Sequence, residues 1–198
     1  NLSAAQQEET AQNVSKIKKL AEKMAAKFKG SKIKYFTDKD RNIDGIKLKI
    51  GEKVWGIKAS DGTIYLNLDG ISFESAIHEF SHLWEAIYPS KFLEGVTLLK
   101  STDQGQKLFD ELRANKSYEN LDDNQIWREA LNTAIGRKGK DLYKGTMLMR
   151  FKEYLKSLFN GIGERLGIKI SPDTKLKDFL NLAVKDVTTK GGKIEKTK

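Results

Sequence analysis

The hydrophobic pattern of the chain changes period twice, and each part predicts a different kind of structure. Apolar positions recur at helical spacing from residue 13 to residue 29, which predicts an amphipathic first helix. Apolar and polar positions then alternate between residues 31 and 68, which predicts a small, mainly antiparallel sheet of about three or four strands. Helical spacing returns from residue 72 to residue 187. The predicted fold class is therefore α+β, with the helices concentrated in the second half.

A hairpin is the clearest feature of the predicted sheet. Extended runs at 54–59 and 63–68 flank the pair Asp61-Gly62, and Asp-Gly is a strong signal for a tight turn. Earlier runs between residues 31 and 50 alternate apolar residues with lysines in the same way. The run at 63–68 leads directly into the next helix, so we expect it to align an extended substrate by main-chain hydrogen bonds.

The segment 72–88, which reads SFESAIHEFSHLWEAIY, is the strongest helix prediction in the chain. Its apolar residues recur at the spacing of one buried face, and Ser72 is a suitable N-cap. His78 and His82 are the only histidines, and Glu79 lies between them in the pattern His-Glu-x-x-His. Residues four apart lie one above the other on a helix, so both imidazoles can reach a single metal ion.

The histidine pair is predicted to point away from the core. At about 100° per residue, the apolar side chains of the helix centre opposite His78, whereas His82 lies about 40° from it and Glu79 about 100°. Two histidines scattered at random along the chain would take this spacing in about one arrangement in a hundred. A chance pair of surface histidines is therefore the weaker interpretation, and the sequence predicts a metal site.

The composition restricts what the third metal ligand can be. A catalytic zinc uses about three protein ligands and an open position, and the chain has no cysteine and no third histidine. The third ligand is therefore expected to be a carboxylate. We favour Glu129 because it lies off the buried stripe of a helix predicted at 122–135, where Ala130 and Ala134 would let two helices approach closely. The alternative for Glu129 is an ordinary position at the surface.

Other polar residues are weaker candidates for the same site. Glu85 shares a face with both histidines, but one helix rarely supplies three ligands to one ion, so we expect it to support a ligand or to lie at the surface. Asp110 and Glu111 are further rivals as third ligand. Tyr118 and Tyr143 are candidates to donate a hydrogen bond to a developing oxyanion, with a packing or surface role as the alternative for each.

The remainder of the helical half predicts architecture more than function. Gly136 is expected to end the helix that carries Glu129, and a long apolar stripe then runs from residue 148 to residue 166. Residues 188–198 contain two glycines, four lysines and almost nothing to bury, which predicts a disordered tail or linker. We therefore predict a single domain at residues 1–187.

Composition limits the classes of partner. The formal charge of +9 comes from 36 lysines and arginines against 27 acidic residues, but only six of the basic residues are arginine, which predicts at most non-specific contact with nucleic acid. No apolar run is long enough to cross a membrane and no signal peptide is recognisable, so we expect a soluble protein without a membrane partner. Because the chain begins at Asn1 rather than at a methionine, we expect it to be cut from, or joined within, a longer protein.

Three sequence blocks together resemble a known protein family. HEFSH, preceded by GTIYLNLDG and followed by WREALNTAIG, is similar to the zincin metallopeptidases that use a glutamate ligand. The likeness is greater to the zincin-like domains of large bacteriophage polyvalent or virion cargo proteins, and it covers roughly residues 54–136. The resemblance implies a zinc ion at His78, His82 and Glu129, with Glu79 as the catalytic base, in an α+β fold.

The leading hypothesis is a zinc-dependent peptidase domain that hydrolyses protein or peptide substrates through metal-activated water. The resemblance implies that such a domain acts in a virion or in the cytoplasm of a bacterial host, together with other domains of a larger virion protein. One alternative is a zincin-like fold kept as a metal-bound structural or cargo module with little catalysis. Another is a basic nucleic-acid-associated protein whose histidine pair is incidental.

Overall fold

Helices predominate in the computed structural model, which describes residues 3–40, 42–43, 46–47, 56–58 and 61–194. The helices are α1 (Ala4–Lys27), α2 (Phe73–Ile87), α3 (Pro89–Lys100), α4 (Asp103–Arg113), α5 (Asp123–Lys144), α6 (Met147–Arg165) and α7 (Pro172–Lys185). The strands are β1 (Phe28–Lys29), β2 (Lys32–Phe36), β3 (Asn42–Ile43), β4 (Ile46–Lys47), β5 (Gly56–Lys58), β6 (Thr63–Asn67) and β7 (Gly192–Lys193). A 3₁₀ turn at Lys116–Tyr118 precedes α5, and a π-helical turn at Asp186–Lys190 follows α7. The predicted α+β class is confirmed at this level.

The first helix begins earlier than predicted. α1 starts at Ala4 rather than at residue 13, because Ser3 and Gln6 form a capping box in which each side chain binds the other residue's backbone N–H. The early turns are rich in Ala, Gln and Glu, which favour a helix without contributing a buried face. The apolar pattern marked only the part of the helix that packs on the core, from about Ile17 to Met24.

The main sheet has three strands in the order β2-β6-β5. The predicted hairpin is confirmed, since β5 and β6 pair antiparallel, with Ile57 opposite Tyr65. The prediction of a mainly antiparallel sheet is wrong, because the longer pair, β2 with β6, is parallel from Lys32 opposite Thr63 onward. Turn residues report only on strands that are neighbours in sequence, whereas a parallel pair joins strands separated by a long connection.

Some of the predicted sheet cannot be compared with the structure. The predicted runs at 46–50 and 54–59 fall partly on residues 48–55 and 59–60, which lie outside the described residues. The same holds for the turn expected at 44–45. Within the part that is described, β3 and β4 form a short antiparallel pair, with Asn42 opposite Lys47.

The C-terminal segment is ordered where a tail was predicted. β7 pairs in parallel with β1, and the hydroxyl of Tyr88 donates a hydrogen bond to the carbonyl of Gly191 at 3.0 Å. Val187 and Thr188 are buried. The prediction of disorder is therefore wrong for residues 188–194, while 195–198 lie outside the described residues. Composition missed this segment because it is held largely by main-chain hydrogen bonds rather than by apolar burial.

Helix α2 lies at the centre of the molecule. Ser72 caps it as predicted, Ile87 is its last residue, and Pro89 begins α3. Its apolar face joins a single core with α1, β6, α3, α5 and α7. The largest fully buried side chains of that core are Trp84, Phe28, Phe80, Phe92 and Met24.

Helix α5 continues past the glycine that was expected to end it. It runs to Lys144, and Gly136 and Gly139 are interior positions on the face that meets α2. A Cβ at position 136 would lie 2.8 Å from the carbonyl oxygen of Glu74 and 3.0 Å from the Cβ of His78. The predicted stop at Gly136 is therefore wrong: this glycine is a point of close helix contact, and it lies beside one of the two histidines.

Helix α6 carries the apolar stripe predicted at 148–166, but that stripe is exposed. Ser157 is the only residue of α6 that is buried. Among the described residues, no helix is both long enough and apolar enough to cross a membrane.

The close approach at Gly136 gives a stability prediction. In Gly136→Ala the new methyl group meets a backbone carbonyl, which no side-chain rotation can relieve, so the free energy of unfolding should fall by about 1–2 kcal/mol. The matched control is Gly161→Ala on α6, where a Cβ meets nothing within 4 Å. Alanine there should be neutral or stabilising by up to about 1 kcal/mol, because alanine favours a helix more than glycine does. Urea unfolding measures both changes, and equal stability of the two variants would contradict the packing described here.

Candidate metal centre

The two histidines lie side by side on α2 and are covered by α5. Their ring centroids are 5.1 Å apart, and both side chains are mostly buried. They point away from the apolar face of α2, as the helical spacing predicted. That direction faces α5 rather than open solvent, because the glycines of α5 allow the two helices to pack closely.

Glu129 meets both histidines from α5. Its Oε1 lies 2.8 Å from Nε2 of His78, and its Oε2 lies 3.5 Å from Nε2 of His82. The three candidate ligand atoms are all within 4.8 Å of one another, so one ion could touch all three. Among the described residues this is the only such group of three His, Cys, Asp or Glu side chains. The structure therefore brings together the two histidines and the carboxylate chosen from the sequence.

The rival carboxylates on α4 lie elsewhere. Glu111 pairs with the guanidinium of Arg137 at 2.5 Å. Asp110 accepts a hydrogen bond from the side-chain amide of Gln106 at 3.0 Å, on the same exposed helix surface. Neither joins the group of candidate ligand atoms around Glu129.

The charges at the centre favour a cation between the histidines and the carboxylate. Burial raises the pKa of Glu129, but the hydrogen bond from His78 and the charges of both histidines outweigh this effect. The pKa of Glu129 therefore lies below its ordinary value. Burial lowers the pKa of His78, but the hydrogen bond to Glu129 and the charge of Glu79 outweigh it, so the net pKa is raised. Both shifts show that positive charge between His78 and Glu129 is favoured, and a metal ion bound there would supply it.

Glu85 stands behind His82 rather than in the ligand group. Its Oε2 lies 3.5 Å from Nδ1 of His82, the ring nitrogen on the far side from Glu129. An imidazole that binds a metal through Nε2 carries its hydrogen on Nδ1, and Glu85 is placed to accept that hydrogen. This is the supporting position that the sequence suggested for Glu85.

Glu85 is itself fixed by residues of α5 that sequence reasoning missed. Asn132 donates from Nδ2 to Glu85 Oε2 at 2.9 Å, and Arg128 donates from Nε to Oε1 at 2.5 Å. The hydroxyl of Ser81 lies 2.6 Å from Oδ1 of Asn132. A polar residue at a buried helix position was the available signal, because Asn132 lies among the apolar residues of α5 and is fully buried.

The two candidate tyrosines have different surroundings. The hydroxyl of Tyr118 donates to Glu129 Oε1 at 3.4 Å, so Tyr118 lies at the centre. Burial first, and then the charges of Glu129 and Glu79, raise its pKa to about 12, which keeps the hydroxyl protonated as a donor at neutral pH. Tyr143 follows Glu129 by 14 residues on α5, about 21 Å along the axis, and stacks on Phe73. The suggestion of Tyr143 as an oxyanion donor is therefore wrong.

Glu79 lies beside the histidines and under strand β5. A Cβ at Gly56 would lie 2.6 Å from Cγ of Glu79, so only a glycine lets the strand pass this close. The negative charge of Glu79 lies close enough to Tyr118 to contribute to the raised pKa of that hydroxyl. The centre is thus bounded by α2, α5, the turn that carries Tyr118, and β5.

The strand expected to align a substrate is not at the edge of the sheet. β6 is hydrogen-bonded to β2 on one side and to β5 on the other, so its main-chain groups are already used. The expectation for residues 63–68 is therefore wrong. Among the described strands of this sheet, β5 is the edge strand next to the centre.

A search of family models, curated proteins and solved structures finds no match to this chain. The likeness to zincin metallopeptidases remains a resemblance of short motifs. Function is therefore inferred from the geometry around Glu129.

The hydrogen bonds of Glu85 predict how stability depends on pH. Burial alone would raise the pKa of Glu85, but His82, Asn132 and Arg128 lower it to about 2, from an ordinary 4.5. Because the folded pKa is depressed, this stabilisation is fully present above about pH 4.5 and is lost as the pH falls toward 2. We expect Glu85→Gln, measured with a chelator present, to be about 2–3 kcal/mol less stable than wild type at pH 7.

The difference between the two proteins should shrink as the pH is lowered from 5 to 2. Glu94→Gln on the exposed face of α3 is the control and should follow the wild-type profile. A constant difference between Glu85→Gln and wild type across this range would contradict the role given to Glu85.

Proposed function

We propose that this chain is a zinc-dependent peptidase domain. The observation that carries the proposal is the meeting of His78 and His82 from one helix with Glu129 from another. Two imidazoles and one carboxylate, with Glu79 beside them, form the set that metal-assisted hydrolysis of a peptide bond requires. The resemblance to zincin metallopeptidases points to the same activity.

The donor set fits zinc in a catalytic rather than a structural role. Structural zinc sites are usually closed by about four ligands, commonly cysteines, whereas catalytic sites keep about three protein ligands and an open position. The group around Glu129 offers three ligand atoms, and the chain has no cysteine. Glu85, held in place by Asn132, supplies the outer support that a metal-binding histidine typically has.

The residues around the centre divide the chemistry between them. A bound zinc ion would acidify a water molecule and polarise the substrate carbonyl. Glu79 is placed to accept the proton of the attacking water and to deliver it to the leaving amine. Tyr118, kept protonated by its raised pKa, would turn its hydroxyl from Glu129 to donate a hydrogen bond to the developing oxyanion.

Strand β5 is the element best placed to align a peptide substrate. It is the edge strand nearest Glu79 among those described, and an extended peptide can add to such an edge through main-chain hydrogen bonds. Gly56 keeps the strand close to the catalytic carboxylate. The activity we propose is cleavage of unfolded or extended segments of protein. The domain would act as part of a larger virion protein or in a bacterial host.

Zinc content tests the ligand assignment. Wild-type protein should bind about one zinc per chain, and His78→Ala and His82→Ala should abolish binding. Glu129→Ala should weaken binding more than Glu85→Ala, for which we expect a loss of about 10–100-fold, because Glu85 acts only through His82. Titration followed by elemental analysis measures all four variants. Loss of zinc in Glu85→Ala with full retention in Glu129→Ala would refute the assignment.

Replacement of the base tests catalysis separately from metal binding. Glu79→Gln should keep both the fold and the zinc, because the amide has nearly the shape of the carboxylate. It should lose about 10²–10⁴-fold in hydrolysis of unfolded protein substrates, since an amide cannot accept the proton. Equal cleavage by wild type and Glu79→Gln would exclude Glu79 as the base. A zinc-loaded wild type without cleavage would favour a metal-bound structural or cargo module.

A further inference from the structure

Helix α6 exposes the apolar side chains that a helix of this kind normally buries. Ten large apolar residues are exposed in the described structure, and nine of them lie between residues 147 and 168. Those on α6 and the turn after it are Met147, Leu148, Met149, Phe151, Leu158, Phe159, Ile162, Leu166 and Ile168. Such a concentration of exposed apolar side chains in one segment is the mark of an interaction surface.

The inward face of α6 is polar and is bound to α7 by hydrogen bonds. The hydroxyl of Ser157 lies 3.1 Å from Oδ1 of Asp178 and accepts a hydrogen bond from Asn181 at 3.0 Å. Asn160 donates to the other oxygen of Asp178 at 3.0 Å. These buried polar contacts fix which way the helix is turned, because rotating α6 to bury its stripe would leave them unpaired. The hydrogen bonds between α6 and α7 therefore keep the apolar stripe exposed.

The charged residues of α6 that border the apolar stripe are all basic. At about 100° per residue, Lys152 and Lys156 lie along one border of the stripe, and Arg165 lies along the other. Both acidic residues of α6 lie on the opposite side of the helix, where Glu153 pairs with Lys177 at 3.7 Å and Glu164 with Lys175 at 2.6 Å. An apolar stripe between two basic borders matches an apolar surface with acidic borders.

A second copy of this chain does not fit that pattern. Pairing two α6 stripes, in either direction, would bring basic borders together and repel. The chain as a whole carries a formal charge of +9, which adds to the repulsion.

The shape next to the stripe favours a protein helix over a flat lipid surface. A groove of about 640 Å³ runs beside the first half of α6, between it and the ends of α5 and α7. Leu142, Met147, Leu148, Phe151 and Val184 form its apolar lining. Inserted side chains can fill such a groove, whereas the plane of a bilayer cannot.

The rim of the groove continues the charge pattern of the stripe. Lys23, Arg150 and Lys185 are its basic residues, and its one acidic residue, Glu153, is the partner of Lys177. We propose that this face binds an amphipathic helix of a partner protein, whose apolar stripe is bordered by acidic residues. The surface begins about 20 Å along α5 from Glu129, so this proposal does not depend on the metal centre.

A pair of model helices tests the proposal on the full chain. The first is a labelled peptide of the same 19 residues in length as α6, with a leucine stripe bordered by glutamates. The second is identical except that lysines replace the glutamates. We expect the glutamate peptide to bind at least about tenfold more tightly by fluorescence anisotropy, and raising the salt concentration should reduce that difference.

Matched variants locate the binding surface. Phe151→Ser with Phe159→Ser should weaken binding about tenfold or more, because exposed aromatic residues dominate such interfaces. Leu93→Ser on α3 should leave binding unchanged, although Leu93 is 55% exposed, comparable to Phe151 at 52% and Phe159 at 67%. Lys152→Glu with Lys156→Glu should reduce the preference for the glutamate peptide, because one of the two basic borders is lost. Circular dichroism confirms that each variant remains folded.

Three results would overturn the proposal. The first is equal binding of the two peptides, or an equal loss in Leu93→Ser and in the double serine variant. The second is that the protein binds neither peptide but sediments with vesicles of phosphatidylserine and phosphatidylcholine, and that the double serine variant no longer does so. That result would make the surface a lipid-binding one. The third is a dimer of the wild-type protein, detected by sedimentation equilibrium, that is absent in the double serine variant.

Discussion

The close contact between α2 and α5 is the feature on which the candidate centre depends. Two ligands lie on α2 and one on α5, so the centre exists only if the helices approach closely at this point. Gly136 and Gly139 provide that approach, because a Cβ at either position would collide with α2. The same contact buries Asn132 and Glu85 beside His82. The same helix contact therefore sets the packing of α2 on α5, the geometry of the three ligands and the residues that support His82.

The sequence predicted the local half of this arrangement well. The bounds of α2, its cap at Ser72 and the placement of both histidines follow from spacing along one helix. The absence of other ligand types left only a carboxylate, and Glu129 was favoured because it lies off the buried stripe of its helix, next to small residues. Asn132 and Arg128 were not found, because their role depends on which face of α5 meets Glu85, and periodicity does not identify the neighbour of a helix face.

The failures of sequence reasoning share a physical cause. Sequence patterns predict a helix stop at Gly136 and disorder after residue 187, and they do not predict the pairing of β2 with β6. Each depends on a partner distant in the chain: α2, β6 or β1. The apolar stripe of α6 is a further case. Its spacing was recognised, but the buried polar contacts with α7 turn it toward solvent.

The two helices are expected to form one metal centre of two histidines and a glutamate. Diffraction from zinc-soaked crystals, recorded on both sides of the zinc absorption edge, tests it most directly. We expect a single strong anomalous peak bounded by Nε2 of His78, Nε2 of His82 and the carboxylate of Glu129, at about 2.0–2.2 Å from each ligand atom. No peak at this position, or a zinc ion bound by the histidines with Glu129 turned away, would contradict it.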